Sequence, residues 1–423
     1  MTGMSLKLTG TERSWVLYDV GNSAFTLMLS TIIPIYFNSI AGEELSSVDY
    51  LAYWGYAASI ATVLCAVLGP FLGAVSDRRG MKIRMFSCVL AVGVIGCAAL
   101  GFVNEWLVFL IVLVITRLGY SLSLVFYDSM LVDVSSPQSM HNVSALGYAW
   151  GYIGSCIPFV VCLVLILGCE SFGITMGTAM TISLVIIAAW WVVFTIPLLR
   201  RYRQTHYVEG RESSLNAFRL LAATLRNARS EKKAFMFLIA FFFFIDGVYT
   251  IIEMATAYGE AIGLDTTMLL VALLVTQIVA FPCTIAFGRL AQGRNIVRLL
   301  MVCIFAYACI TIYASVMDNI TQFFVLAICV GVFQGGIQAM SRSYFSRIIP
   351  PEKSGEFFGL MDIFGKGASF MGTFMVSAMS QLTGSMSLGI LSLVVLFIVG
   401  FLVLMVVARI PDPERHHCLE ESA

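Results

Sequence analysis

Charge is scarce in this sequence. Of its 423 residues, 12% are Asp, Glu, Lys or Arg and 59% are hydrophobic, whereas a soluble domain carries about 25% charged residues. So much apolar surface cannot be hidden in one water-soluble core. The net charge is zero, which removes any case for nucleic acid as a partner. The eleven cysteines contain no CxxC pair; they read as small buried hydrophobes, not as a disulfide framework. HExxH is missing, the four histidines are expected in loops or the tail, and His416-His417 is too little for a metal site. No metal or cofactor is expected. Gly359 to Lys366 superficially resembles a phosphate loop, but Gly367 follows the lysine where Ser or Thr is needed. The alternation of a membrane β-barrel is also missing. No cleavable signal peptide is evident, because Met1 to Arg13 is polar and the apolar run behind it is too long.

What remains is a series of long apolar runs with short polar punctuation. A bilayer core about 30 Å thick needs roughly 20 apolar residues per helix. Twelve such spans are read: Trp15–Ile40, Leu51–Val75, Met85–Val103, Trp106–Tyr127, Ser144–Gly168, Thr175–Leu198, Ala234–Tyr258, Thr266–Leu290, Ile296–Val316, Gln322–Met340, Phe357–Gln381 and Ser387–Ala408. In lipid the backbone must satisfy its own hydrogen bonds, so the expected fold is an all-α integral membrane protein. With the N-terminus inside, the external loops hold acids (Glu43, Glu44, Asp49, Glu105, Glu170, Glu260, Asp265, Asp318) and no Lys or Arg. The positive-inside rule then puts both termini in the cytoplasm. On this reading only Arg117 and Lys366 are basic residues within spans. The acidic turn with Asp128 and Asp133 is expected to pair with the basic turn at Arg78–Arg84.

Residues 199–233 form the one long interruption, a basic cytoplasmic linker that divides the spans six and six. Its stretch Ser213 to Ala228 is spaced as an amphipathic helix, expected to touch anionic headgroups, with a regulator's docking site as the alternative. Residues 1–198 and 234–423 are the expected six-helix bundles. A weak repeat relates them: Gly73-Ala-Val-Ser-Asp77-Arg-Arg79 after span two, and Gly288-Arg-Leu-Ala-Gln292-Gly-Arg294 after span eight. Two matched halves suit a transporter that rocks about a central site.

Gly73-Ala-Val-Ser-Asp77-Arg78-Arg79-Gly80-Met81-Lys82 resembles the signature loop between helices two and three of the major facilitator superfamily. Trp15-Val-Leu-Tyr18-Asp19-Val-Gly-Asn22-Ser23, Phe126-Tyr127-Asp128-Ser129 and Gln338-Ala-Met-Ser341-Arg342-Ser343 narrow the match, with Asp362-Ile-Phe-Gly365-Lys366 beyond. Together they resemble the branch that holds the fungal autophagy-related vacuolar amino-acid effluxers and their bacterial relatives. The resemblance implies alternating-access transport, amino acids as the leading substrate class, and a cavity lined by helices one, four, seven and ten. It also implies a cytoplasmic gate of Gly73, Asp77, Arg78, Arg79, Gly80 and Lys82, in which Asp77 engages a neighbouring helix in one state; topology-setting charge alone is a better alternative for Lys82 than for Asp77. Gln292 replaces that acid in the second half, so the gate is expected to be asymmetric.

A charge within the bilayer is costly and needs a partner or a wet cavity. Arg117, mid-span, can hold a substrate carboxylate or coupling acid by two parallel hydrogen bonds, or be locked in a structural pair. Asp246 and Glu253 share one face of span seven, about 10 Å apart; either can carry a coupling proton or pair statically with Arg117 or Lys366, and Asp246 is the preferred carrier. Asp362 and Lys366, at i and i+4, are expected to pair with each other, or to act as a switch. Asp19 and Asn22 lie near the cytoplasmic end of span one, where water is expected to reach Asp19. Gln277, Gln334 and Gln338 are candidates for hydrogen bonds to substrate or between helices. The reading is a monomeric secondary transporter for amino acids, coupled to protons or facilitative, in a bacterial plasma membrane, with the eukaryotic vacuolar membrane as the alternative. It is not an enzyme. A drug or lipid exporter and a non-transporting sensor are the competing functions.

Overall fold

The structure is a computed structural model that describes residues 8–41, 44–209, 231–261 and 263–412. Among them the chain is helical apart from one isolated parallel bridge between Arg78 and Val208. The helices are α1 (Gly10–Ser30), α2 (Ile32–Ala41), α3 (Ser47–Ser76), α4 (Met81–Leu100), α5 (Trp106–Ser129), α6 (Leu131–Val134), α7 (Met140–Leu167) and α8 (Met176–Arg201). After the linker come α9 (Lys232–Ala261), α10 (Thr266–Leu290), α11 (Ile296–Ser315), α12 (Ile320–Ile348), α13 (Ser354–Thr383), α14 (Met386–Ser392) and α15 (Val394–Arg409). Among the described residues ten segments are long and apolar enough to cross a membrane, or eleven if α1 and α2 count as one bent span.

Local chemistry sets the ends. Thr9 caps α1 in a reciprocal box with Glu12, shortly before the apolar run that begins at Trp15. The 43° bend at Thr31 follows from Pro34, which has no amide hydrogen for the Ser30 carbonyl. Gly80 turns the chain from α3 to α4 at φ 69°, a left-handed conformation that favours glycine.

Two hydrophobic cores result. One holds side chains from Trp15 to Tyr202; the other runs from Ala234 to Val407 and recruits Val125 and Ala145 across the divide. Apolar side chains such as Ile95, Ile157, Phe305 and Val395 point outward, as lipid-facing positions require. Arg201 reaches the Gly10 carbonyl and Lys233 reaches Asp412. Both ends of the described chain therefore lie with the linker at one end of the bundle, called here the basic end. The halves meet along α3 with α13 and α7 with α10. There Gly359 lies so close to Pro70 that an added methyl would sit 2.6 Å from its Cα. The amphipathic stretch Ser213 to Ala228 and the tail histidines lie outside the described residues.

Candidate functional site

The charged residues fall into layers between the halves. The outermost is the gate at the basic end. Asp77, which ends α3, accepts the amides of Gly355 and Glu356 at 2.8 and 2.9 Å. These are unsatisfied donors of the first turn of α13, with the positive end of its helix dipole behind them. Burial pushes the Asp77 carboxyl up to about 6, against the lowering pull of Lys82 and the two amides. Lys82 is fully buried, donates to Ser354 Oγ at 2.7 Å, and lies 3.5 Å from Asp77 and 3.7 Å from Asp133. A methyl on Gly73 would overlap the Gly355 carbonyl, so this crossing needs glycine.

One layer deeper, Arg342 of α12 reaches across to α1, α5 and α7. Its guanidinium donates to Asp128 at 3.0 Å, to Asp19 at 3.4 Å, and to the Ser144 hydroxyl and carbonyl at 3.0 and 2.9 Å. The rings of Tyr148, Trp15 and Tyr127 surround it at 4.2, 4.6 and 5.4 Å. Asp19 also accepts the Tyr127 hydroxyl at 2.7 Å and Asn22 Nδ2 at 3.4 Å. Two carboxylates thus share one guanidinium. Nearby, Tyr152 donates to Gln338 at 3.2 Å, and His141 bridges Ser343 and Arg347.

The innermost layer is mixed in sign. Arg117 on α5 and Glu253 on α9 interact electrostatically across the halves, yet neither forms an ion pair among the described residues. Asp362 and Lys366 pair with each other on α13, 2.6 Å apart. Asp246 is buried against α13; its Oδ1 accepts the Gly372 amide at 2.9 Å and the Thr250 hydroxyl at 3.3 Å. Its Oδ2 has no hydrogen-bond partner among the described residues. A pocket of about 490 Å³, part of it open to solvent, lies between α9, α10 and α12. Its walls are mainly aliphatic, with Thr276, Gln277 and Gln334 as polar members.

Residues 133–410 match the family described as vacuole effluxer Atg22 like. An uncharacterized MFS-type transporter of Bacillus subtilis, YxiO, is 40% identical over 95% of both chains. The chain belongs to the Atg22-like family of the major facilitator superfamily. Autophagy-related protein 22 of Coccidioides immitis is 26% identical over 64% of this chain; the chain spans about half the length of that fungal relative. In fold it resembles human MFSD10 (TETRAN), described as an organic anion transporter, with TM-score 0.70, 14% identity and coverage of 93% of this chain and 98% of that one. It also resembles FucP in the outward conformation, with TM-score 0.70, 13% identity, and 95% and 99% coverage.

This Atg22-like chain is a multi-pass membrane transporter of the major-facilitator type, and its geometry corrects several expectations. Arg342 was placed outside span ten, but α12 runs to Ile348 with no breaker before Pro350, so Arg342 lies inside a helix. Asp128 lies within α5 and serves Arg342; only Asp133 meets the basic turn, through Lys82. Asp19 is 6% exposed, so water does not bathe it. Lys82 makes contacts that a topology-setting charge alone would not need. Of the four histidines, His141 lies in α7, buried. The Arg78 backbone forms the isolated bridge with Val208, and Arg79 stacks on Tyr207 at 5.4 Å. Gln292 is exposed.

Proposed function

We propose that this protein carries amino acids across a bacterial plasma membrane by alternating access, coupled to protons. The observation that carries the substrate class is the innermost layer. A guanidinium and a carboxylate from opposite halves interact electrostatically without forming an ion pair among the described residues, Arg117 half-buried and Glu253 exposed, both within helices long enough to span a membrane. An unpaired charge at membrane depth is unfavourable. A zwitterion satisfies both, its carboxylate on Arg117 in a bidentate bond and its ammonium on Glu253. A lipid or lipophilic drug would leave both charges unsatisfied. The side chain then has the pocket beside Gln277 and Gln334 for its apolar part.

The halves, residues 1–198 and 234–423, act as the rocking units, with 199–233 linking them. The transporter works as a monomer with twelve spans: α1–α2 is the first, α13 the eleventh, its apolar run interrupted by Asp362 and Lys366, and α14–α15 the twelfth. Lys and Arg concentrate at the basic end, which the positive-inside rule assigns to the cytoplasm. The state described is closed there. Asp246 is the proposed proton carrier: protonation removes its charge from an apolar site, and ionisation alters its hold on α13 at Gly372. Asp19 and Asp128 belong with Arg342 to the gate.

The test is thermal stabilisation of the purified protein by single amino acids, their N-acetyl and carboxamide derivatives, and lipophilic cations. Stabilisation by free amino acids, lost on blocking either end or on Arg117→Gln or Glu253→Gln, is the expected result. Stabilisation by lipophilic cations alone would replace this reading with that of a drug exporter.

A further inference from the structure

Residues 202–208 leave α8 and cross the basic end of the N-terminal half, held along both edges. On one edge the Val208 amide donates to the Asp77 carbonyl at 2.9 Å, and Gln204 Nε2 donates to the Ser76 carbonyl at 3.1 Å. On the other, the strap wraps Asp133. Tyr202 Oη donates to Oδ2 at 2.5 Å. Oδ1 receives the Thr205 amide and hydroxyl at 3.2 and 2.8 Å, and the His206 amide at 2.9 Å, with the His206 ring Nδ1 at 3.0 Å.

Asp133 is fully buried, and it is the carboxylate 3.7 Å from Lys82 Nζ. Lys82 also lies 3.5 Å from Asp77 and makes its bond to Ser354 across the halves. A buried ammonium settles on the acceptors that other donors have left open. The strap's donors occupy both oxygens of Asp133. We propose that the 202–208 strap is a positioning element of the gate: by filling Oδ1 of Asp133 and placing the Tyr202 hydroxyl on Oδ2, the oxygen 3.7 Å from Lys82, it competes for Asp133 and leaves Lys82 to bridge to Ser354, and so favours the state closed at the basic end. Without those donors, Asp133 draws Lys82 into the N-terminal half, and the bond to Ser354 weakens. The strap thereby ties the start of the interdomain linker to a lysine shared by both halves. The inference rests on gate geometry alone and holds whichever solute is carried.

Thr205 is exposed and His206 partly so, which makes both substitutable without opening the core. The test is hydrogen–deuterium exchange of the full-length protein in lipid nanodiscs, read at residues 354–360, where α13 begins. The double variant Thr205→Val/His206→Ala is expected to raise exchange there by about fivefold or more, as a closed contact that opens more often would. Thr205→Ser keeps the hydroxyl and is expected to stay at the wild-type rate. In a Ser354→Ala background, where Lys82 has lost its acceptor, the strap substitutions should add less than about twofold. If the double variant does not purify as a folded protein, Thr205→Val alone carries the comparison. Exchange at 354–360 within about twofold of wild type, or a strap effect that multiplies in full with Ser354→Ala, would overturn the proposal and leave the strap holding only its own loop.

Discussion

Replacing Arg342 with Met should open the basic end. The guanidinium sits on one half, and its partners Asp19, Asp128 and Ser144 sit on the other. Removing one member of a buried ion pair costs about 3–5 kcal/mol, because the remaining charges stay desolvated. Here two carboxylates are left facing each other. In the opened state water reaches both, so the penalty falls on the closed state. At about 1.4 kcal/mol per tenfold, the closed-to-open ratio should fall by roughly 10²–10³. Methionine still packs against Trp15 and Tyr148, so the loss reports mainly the charges. The assay is the distance distribution between spin labels at Arg84 and Glu352, exposed positions on opposite halves, with the reactive native cysteines replaced. A long-distance population absent from wild type should dominate in Arg342→Met. Adding Asp128→Asn should restore part of the short-distance population, since it removes one of the two stranded charges. Unchanged distances in Arg342→Met, or no recovery in the double variant, would refute the reasoning.

Other outcomes follow from the same contacts. Asp77→Ala removes two charge-assisted hydrogen bonds to the α13 amides, each worth about 1.5–3 kcal/mol, and should also lengthen the Arg84–Glu352 distance. Asp77 further predicts a pH dependence. Its carboxyl titrates near 6 when buried beside Lys82 and Glu356, and near 4 once opening returns it to water. The closed state therefore binds the extra proton between about pH 4 and 6, so acidification through that window favours closure and the preference levels off above about 6; Asp77→Asn should flatten this profile. Gly73→Ala places a methyl against the Gly355 backbone, which cannot yield; it should cost the closed state about 1–3 kcal/mol and slow transport at least tenfold, measured as solute counterflow. The Asp362–Lys366 pair predicts coupling: Lys366→Gln alone should lower thermal stability more than Asp362→Asn/Lys366→Gln, which strands no charge.

The transmembrane plan was legible because lipid permits so few backbones: apolar runs bounded by charge, Gly80 at a tight turn, and Asp77 at a loop with a known resemblance. Residues whose roles depend on distant partners were not. Lys82 looked like a surface charge because Ser354 lies far along the chain. Arg342 was misread because span ten was ended at Met340, although no Gly or Pro interrupts the sequence from there to Ile349. Helix continuity, not hydropathy, carried that signal. The i, i+4 spacing of Asp362 and Lys366 did foretell their contact, since a helix alone decides it. The spacing of Asp246 and Glu253 could not say which faces α13 and which faces Arg117, because that depends on how α9 is rotated in the bundle.

The most direct measurement is uptake of a labelled amino-acid mixture into proteoliposomes, with and without an imposed pH gradient, for wild type and Asp246→Asn. The account predicts saturable uptake that the gradient stimulates in wild type and not in the variant. No uptake by protein shown to be folded, under either condition, would contradict it.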